Sequence, residues 1–445
     1  MRVTLRVLLV ALGLVAVLAG IVWTLNVLDE DRESGEDLVE PNASPSGASA
    51  ADVAAHKARI ARGAYLARAG NCMGCHTATG GAPYAGGRGV PTPFGTVYSP
   101  NLTPDMATGI GAWSSADFWR ALHNGRSRDG RLLYPAFPYP NYTRITRPDS
   151  DALHAYLHSL PAVARPNTPH ALRFPFDQQA ALAVWRALYF RPAVHTVDAT
   201  RPPEWNRGAY LVEGLGHCNA CHASRNALGA TSGPLDLAGG LIPVQNWYAP
   251  ALTSPLEAGV AAWDLQHLVD LLKTGVATPG GAPVAVAGPM VEVVRGSTQH
   301  LSEPDLRAVA TYLQALPQNA PGRAAAVPAP TTASASAASP GAKLYEEHCA
   351  PCHGAQGEGV AGIYPALAGN RAVAMHTPAN LVHLVMEGGF PPATAGNPRP
   401  FGMPPFATVL SDADVAQVLT HIRSSWGNTA NAVSALEVGR YRSAR

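Results

Sequence analysis

Asn71-Cys72-Met73-Gly74-Cys75-His76, His217-Cys218-Asn219-Ala220-Cys221-His222 and His348-Cys349-Ala350-Pro351-Cys352-His353 repeat one pattern, and together they use all six cysteines of the 445-residue chain. Two thiols three residues apart, followed at once by an imidazole, make the covalent haem attachment motif: the thiols add to the vinyl groups and the histidine takes the proximal side of the iron. A redox dithiol or a zinc site would explain one such pair. Three pairs, each with its own histidine and with no cysteine left over, point to three covalently bound haem c groups. Cys72, Cys75, Cys218, Cys221, Cys349 and Cys352 are then the attachment residues, with His76, His222 and His353 as proximal ligands. No thiols remain for a disulfide framework.

Working outward, the chain aligns with itself. Arg62-Gly63-Ala64-Tyr65-Leu66 precedes the first motif, Arg207-Gly208-Ala209-Tyr210-Leu211 the second, and Gly341-Ala342-Lys343-Leu344-Tyr345 the third. Each reads as a short helix that carries an aromatic to the core. Downstream, Tyr98-Ser99-Pro100, Tyr248-Ala249-Pro250 and Tyr364-Pro365 also correspond. Their prolines are candidate carbonyl partners for the second nitrogen of each proximal imidazole. Each copy closes with a helix opened by a capping residue and an acid three positions on: Thr146/Asp149, Ser302/Asp305 and Ser411/Asp414. Apolar residues at helical spacing follow over 152–160, 306–316 and 415–426. Two helices beside a haem, joined by long Gly/Pro loops, describe the small cytochrome c fold. The cofactor takes the place of a larger protein core.

The expected architecture is mainly α: three tandem small cytochrome c domains after an N-terminal membrane helix. Domain 1 with a connecting segment is assigned to 53–200, domain 2 to 201–317 and domain 3 to 341–430, with a tail over 431–445. Polar, Pro/Ser-rich residues 29–52 and the Ala/Pro/Ser tract 318–340 read as linkers, the second allowing the third domain to move. Aromatic residues Phe174, Phe176, Trp185, Tyr189 and Phe190 form either a packed joint between the first two domains or the last part of the first domain's core.

An iron with a distal thioether is six-coordinate and has a raised potential, suited to electron transfer. Met403, in Gly402-Met403-Pro404, and Met290, in Gly288-Pro289-Met290, stand in the loops before the closing helices and are the candidate distal ligands. The first copy departs from this rule. Its loop, Tyr134-Pro135-Ala136-Phe137-Pro138-Tyr139, has Phe137 where a methionine is expected. Met106, His123 or an open position are the alternatives for that iron.

Residues 1–28 open with Arg2 and Arg6, continue as an apolar run from Val7, and are followed by Asp29, Glu30 and Asp31. The run is long enough to cross a bilayer, and it reads as a retained anchor or a cleaved signal. Either places the rest on the periplasmic side of the bacterial inner membrane. A formal charge of +1, from 32 basic and 31 acidic residues, and the lack of a basic run exclude a nucleic-acid partner. With 47% hydrophobic residues the chain has enough apolar content for folded cores. No nucleotide, phosphate-loop or nucleophile motif is visible, so substrate chemistry is not expected of this chain alone.

Asn101-Leu102-Thr103-Pro104-Asp105 with Thr108-Gly109-Ile110-Gly111, Gly288-Pro289-Met290 with Ser297-Thr298-Gln299, and Met403-Pro404-Pro405-Phe406 with Ser425-Trp426-Gly427-Asn428 carry a wider likeness. From the N-terminal segment to Trp426 the chain resembles the triple-haem cytochrome c subunits of membrane-associated bacterial dehydrogenases. The resemblance implies a large catalytic subunit of the flavin, pyrroloquinoline quinone or molybdopterin type as electron donor. It implies membrane quinone, or a downstream cytochrome or oxidase, as acceptor. Alcohol and sugar-acid dehydrogenase relatives carry methionine where Phe137 stands; the Tyr-Pro-Ala-Phe-Pro-Tyr form is more similar to the cytochromes of molybdenum hydroxylases. The rival readings are a free-standing periplasmic carrier and a haem enzyme using an open first iron.

Overall fold

A computed structural model describes residues 2–27, 49–233, 235–281, 283–318 and 339–442. Most of both linker assignments, 29–48 and 319–338, lies outside the described residues. Helix α1 (Arg2–Val27) is the N-terminal apolar segment, and within it Leu9–Val27 is long and apolar enough to cross a membrane. The remainder is helical with small antiparallel hairpins, and it divides into two compact units. One comprises residues 1–67, 75–196 and 227–230, and the other 68–74, 197–226 and 231–445.

In the first unit, α2 (Ala50–Ala69) leads to the first cysteine pair, and α3 (Ser115–Asn124) and α4 (Arg147–His158) follow. Ser114 opens α3 with a full capping box to Asp117, and Gly125 closes it in the left-handed region. At α4, Asp149 accepts from Arg62 Nε on α2, so the buried carboxylate ties the two helices together. Strands β1 (Gly89–Thr92), β2 (Gly95–Tyr98) and β3 (Ala171–Leu172) form an antiparallel sheet with Gly89 opposite Tyr98 and Gly95 opposite Leu172. Helix α5 (Gln179–Tyr189) packs on α1. Of the aromatics of 174–190, Phe176 lies on Phe94 and Phe190 on Tyr139, Trp185 Nε1 donates to the Leu228 carbonyl at 3.0 Å, and Phe174 and Tyr189 are exposed.

The second unit holds two further copies of the plan. Helix α6 (Pro203–Tyr210) runs into a wider turn over Leu211–Leu215 ahead of the second cysteine pair. Then come β4 (Gly240–Leu241) paired with β5 (Tyr248–Ala249), and α7 (Leu265–Thr274). A second hairpin, β6 (Val276–Ala277) with β7 (Val284–Ala285), leads to α8 (Pro289–Gly296) and α9 (Glu303–Gln314). The last copy uses α10 (Pro340–His348), α11 (Ala379–Glu387) and α12 (Asp412–Ser424), the last opened by a Ser411/Asp414 capping box. Residues assigned to a tail form α13 (Ala435–Arg442), with Val438 fully buried and Arg442 paired to Asp412.

The first and last helices of each copy touch through a glycine. A Cβ on Gly63 would lie 1.9 Å from the Ala152 carbonyl oxygen, one on Gly208 2.0 Å from that of Ala308, and one on Gly341 2.3 Å from that of Gln417. Only a residue with no side chain lets the backbones approach this closely, which explains why the repeated Arg-Gly and Gly-Ala signatures precede the cysteines.

The expectation of a mobile third copy is corrected by direct contacts inside the second unit. Tyr248 N donates to Asn380 Oδ1 at 2.8 Å, and Asn380 Nδ2 donates back to the Tyr248 carbonyl at 2.8 Å. Trp247 stacks on His383 with ring centroids 4.9 Å apart, and Arg371 donates to the Gly259 carbonyl at 2.7 Å.

Candidate haem sites

Each cysteine pair falls on a single helical turn, Cys72–Cys75, Asn219–His222 after Cys218, or Ala350–His353 after Cys349. A spacing of three residues on a turn puts both thiols on one face, with the histidine leaving at the end. The imidazoles are then held in the same way three times. Nδ1 of His76 lies 2.9 Å from the Pro100 carbonyl oxygen, Nδ1 of His222 2.7 Å from that of Pro250, and Nδ1 of His353 2.9 Å from that of Pro365. A carbonyl only accepts, so Nδ1 carries the proton and donates, leaving Nε2 as the metal-ligating nitrogen. Burial pushes all three imidazole pKa values down, against the raising effect of the proline carbonyls, and so favours the neutral form that binds metal.

The proline loops are themselves stiffened, each by different side chains. Beside Pro100, Asn101 accepts from Thr103 N and Oγ1, donates to the Val163 carbonyl at 2.8 Å, and takes Asn167 Oδ1 on its backbone N–H. Around Pro250, Glu257 accepts from Ala251 N at 2.7 Å and from the Tyr248 hydroxyl at 3.0 Å; burial first, and then the Glu257 charge, raises the tyrosine pKa. Next to Pro365, Asn428 accepts from Gly369 N and donates to the Leu367 and Ile422 carbonyls. Buried Arg423 donates to the carbonyls of Val373, Met375 and Asn431, closing the third copy. Glu257 and Arg423 were not singled out from sequence. Nothing local marks a lone acid or arginine whose partners are carbonyls from distant turns.

The structure places the distal candidates as follows. Met403 is pinned by reciprocal backbone bonds with Gly389, 2.8 and 3.0 Å, and is half-buried against the third core. Met290 is half-buried on the first turn of α8, after Gly288 at φ 55; a Cβ on Gly288 would meet the Trp247 ring at 2.6 Å, so both backbone and space require glycine there. Met106 lies on a turn with its side chain 70% exposed and is not brought into the first site. Phe137 sits against the rings of Tyr139 and Tyr142, at 6.4 and 5.3 Å. His123 is buried, stacked on Trp119, and its Nδ1 is 2.8 Å from the Thr143 carbonyl. His217 is half-buried, with its ring bonded to the Gly70 backbone and its pKa lowered by burial.

Paired thiols on one face and a neutral, oriented imidazole suit a covalently attached haem, and they define a c-type cytochrome. The cytochrome c family pattern matches residues 60–161 and 338–426. Over 402 residues the chain is 39% identical to the cytochrome c subunit of a quinone-type alcohol dehydrogenase from Gluconacetobacter polyoxogenes, covering 87% of this chain and 85% of that one. The gluconate 2-dehydrogenase cytochrome c subunit of Pantoea cypripedii is 38% identical over 89% of this chain and 92% of its own. A nicotinate dehydrogenase subunit of Pseudomonas putida is 42% identical over 82% of this chain, a match that spans 30% of that protein. The chain belongs to the family of dehydrogenase cytochrome c subunits. Its role is electron transfer from a catalytic subunit, and it is not itself the catalyst.

Proposed function

We propose that this chain carries three haem c groups in three cytochrome c domains and relays electrons from a periplasmic dehydrogenase catalytic subunit to membrane quinone or another respiratory acceptor. The observation that carries the reading is the threefold recurrence of Cys-x-x-Cys-His with its histidine Nδ1 held by a proline carbonyl. When bound, the haem iron supplies reversible one-electron chemistry. The chain's own residues attach the group through paired thiols, fix the proximal imidazole, and offer Met290 and Met403 as distal thioethers to two irons. With haem bound, a thioether from Met290 or Met403 would favour the reduced state of its iron. The first iron has no thioether in this assignment, because Phe137 occupies the matching loop and Met106 faces solvent. Its potential is set apart from the other two.

In this reading α1 stays as the anchor that holds the chain on the periplasmic face of the bacterial inner membrane. The relatives act with alcohol, gluconate and nicotinate dehydrogenases, so the donor is a large dehydrogenase subunit with flavin, pyrroloquinoline quinone or molybdopterin as its cofactor. Mild detergent extraction of native membranes, followed by purification through this chain, tests the reading. Recovery of a large subunit with one of these cofactors, whose substrate reduces the haems, is the expected result. A cytochrome that emerges alone, without dehydrogenase activity, overturns it in favour of a free-standing carrier.

A further inference from the structure

Helix α5 has two apolar sides: one is buried, and the other is largely open, with Trp185 on it donating through Nε1 to the Leu228 carbonyl at 3.0 Å. Leu182, Arg186 and Ala187 are buried in the first unit; Val184, Leu188 and Tyr189, displaced along the same helix, face outward, with Val184 46% and Leu188 62% exposed. Its sole charged residue is Arg186, which is turned inward. Phe174, 81% exposed, and Val194, 51% exposed, stand in the segments before and after the helix. Arg173 and Arg191, exposed in the same two segments, donate to the Pro93 carbonyl and to the Ala187 and Phe190 carbonyls and keep further N–H groups toward solvent. Scattered exposed apolar residues need no explanation, but a continuous set on one helix face marks a binding surface.

The position of α1 identifies what this surface meets. Its end is locked to α5 by a buried polar cluster. Asn26, itself buried, donates through Nδ2 to the Ala183 carbonyl at 3.0 Å and accepts on Oδ1 from Arg186 Nε at 2.9 Å. Arg186 also donates to the Asn124 carbonyl and stands over the Phe190 and Tyr139 rings at 4.8 and 5.5 Å. Arg126 donates to the Asn26 carbonyl at 3.3 Å. The apolar helix therefore emerges at α5 at a fixed place, with exposed Trp23 one turn before Asn26, where an aromatic suits the headgroup level. A cleaved leader has no reason to satisfy a buried guanidinium of the domain it leaves.

The geometry points to α5 as an interfacial helix: its Val184/Leu188/Tyr189 face, with Phe174, rests in the headgroup region beside the exit of α1, and Arg173 and Arg191 meet anionic lipid phosphates. An uncharged apolar face flanked by basic residues is the composition such helices use. This inference rests on the reading of α1 as a retained anchor and adds a second membrane contact that orients the first haem domain against the bilayer.

A nitroxide on Leu188→Cys tests it in the full holo-chain, reconstituted into phosphatidylglycerol/phosphatidylethanolamine vesicles. With the native cysteines occupied by haem, the new thiol is the labelling site. Met106→Cys, equally exposed but outside this surface, is the control. The expected result is that the Leu188 label relaxes more with oxygen than with a water-soluble nickel complex, and the Met106 label the reverse. A Leu188 label that behaves like the Met106 label overturns the inference. So does protection from both reagents, the mark of a protein surface covering α5. Intact mass of the same preparation reports the anchor separately: loss of residues 1–27 overturns the retained-anchor reading, whichever way the label reports.

Discussion

Gly208 and Ala308 bring two helices of the second copy so close that a β-carbon on the glycine would stand 2.0 Å from the alanine carbonyl oxygen. Arg207 and Asp305, one position before the glycine and three before the alanine, clamp the same crossing with two bonds of 2.8 Å. In an open helix, Gly→Ala gains roughly 1 kcal/mol from propensity. Here the contact is with rigid backbone and the helices must separate, so Gly208→Ala is expected to cost a net 1–3 kcal/mol, about the usual range for overpacking. Chemical denaturation followed by tryptophan fluorescence measures this. Haem content should be unchanged because the thioether bonds remain.

The distal methionines lead to a separate expectation. Removing a soft thioether lowers a haem's reduction potential by withdrawing stabilisation of the ferrous state. Met403→Ala and Met290→Ala should each depress one of the three potentials and leave the other two in place. Redox titration of the variants checks the assignment; an unchanged set of three potentials refutes it for that residue.

Phe137 offers the converse substitution. If its loop faces the first iron, Phe137→Met supplies the missing thioether and raises that one potential. If one iron in three lacks a thioether, carbon monoxide added to the reduced native protein should shift about one third of the haem absorbance. The Phe137→Met protein should show no such shift. Equal carbon monoxide binding by both proteins would count against the assignment.

Acid sensitivity should come from the first unit. His154 is fully buried between Phe118 and His158, and its Nε2 donates to the Trp113 carbonyl. Burial first, and then the neighbouring His158, lowers its pKa from 6.5 to about 4. A depressed folded-state value means that the unfolded chain takes up the proton first as the pH falls. The stabilisation is complete above 6.5 and is lost as the pH falls toward about 4. The loss is at most about 3 kcal/mol. His154→Gln keeps a donor for Trp113 and cannot become charged. Its melting temperature should therefore fall less than the native protein's over that interval.

Several of these features were legible in the residues because they are local. The cysteine–histidine motifs, the Arg-Gly signatures, the Ser302 and Ser411 caps and the proline carbonyl partners all depend on short spacings. The exceptions arose where distant chain segments compete. The spacing that makes Asp149 cap support for Thr146 does not reveal its pairing with Arg62 from another helix. A Pro/Ala/Ser tract says nothing of whether the domains on either side touch, and here Asn380 and Tyr248 join them. Phe174 and Phe190 look alike as sequence, yet one is exposed and the other buried, because only the latter lies against Tyr139 and Arg186. Met106 was the nearest methionine along the chain, and proximity in sequence did not turn it inward.

The most direct measurement of the central claim is the intact mass of the chain purified from its native membrane, read together with a haem-to-protein ratio in alkaline pyridine. Three haem additions on one polypeptide are the expected result, with all six cysteines consumed. Two additions, or a motif whose thiols remain open to alkylation, would contradict the three-haem account.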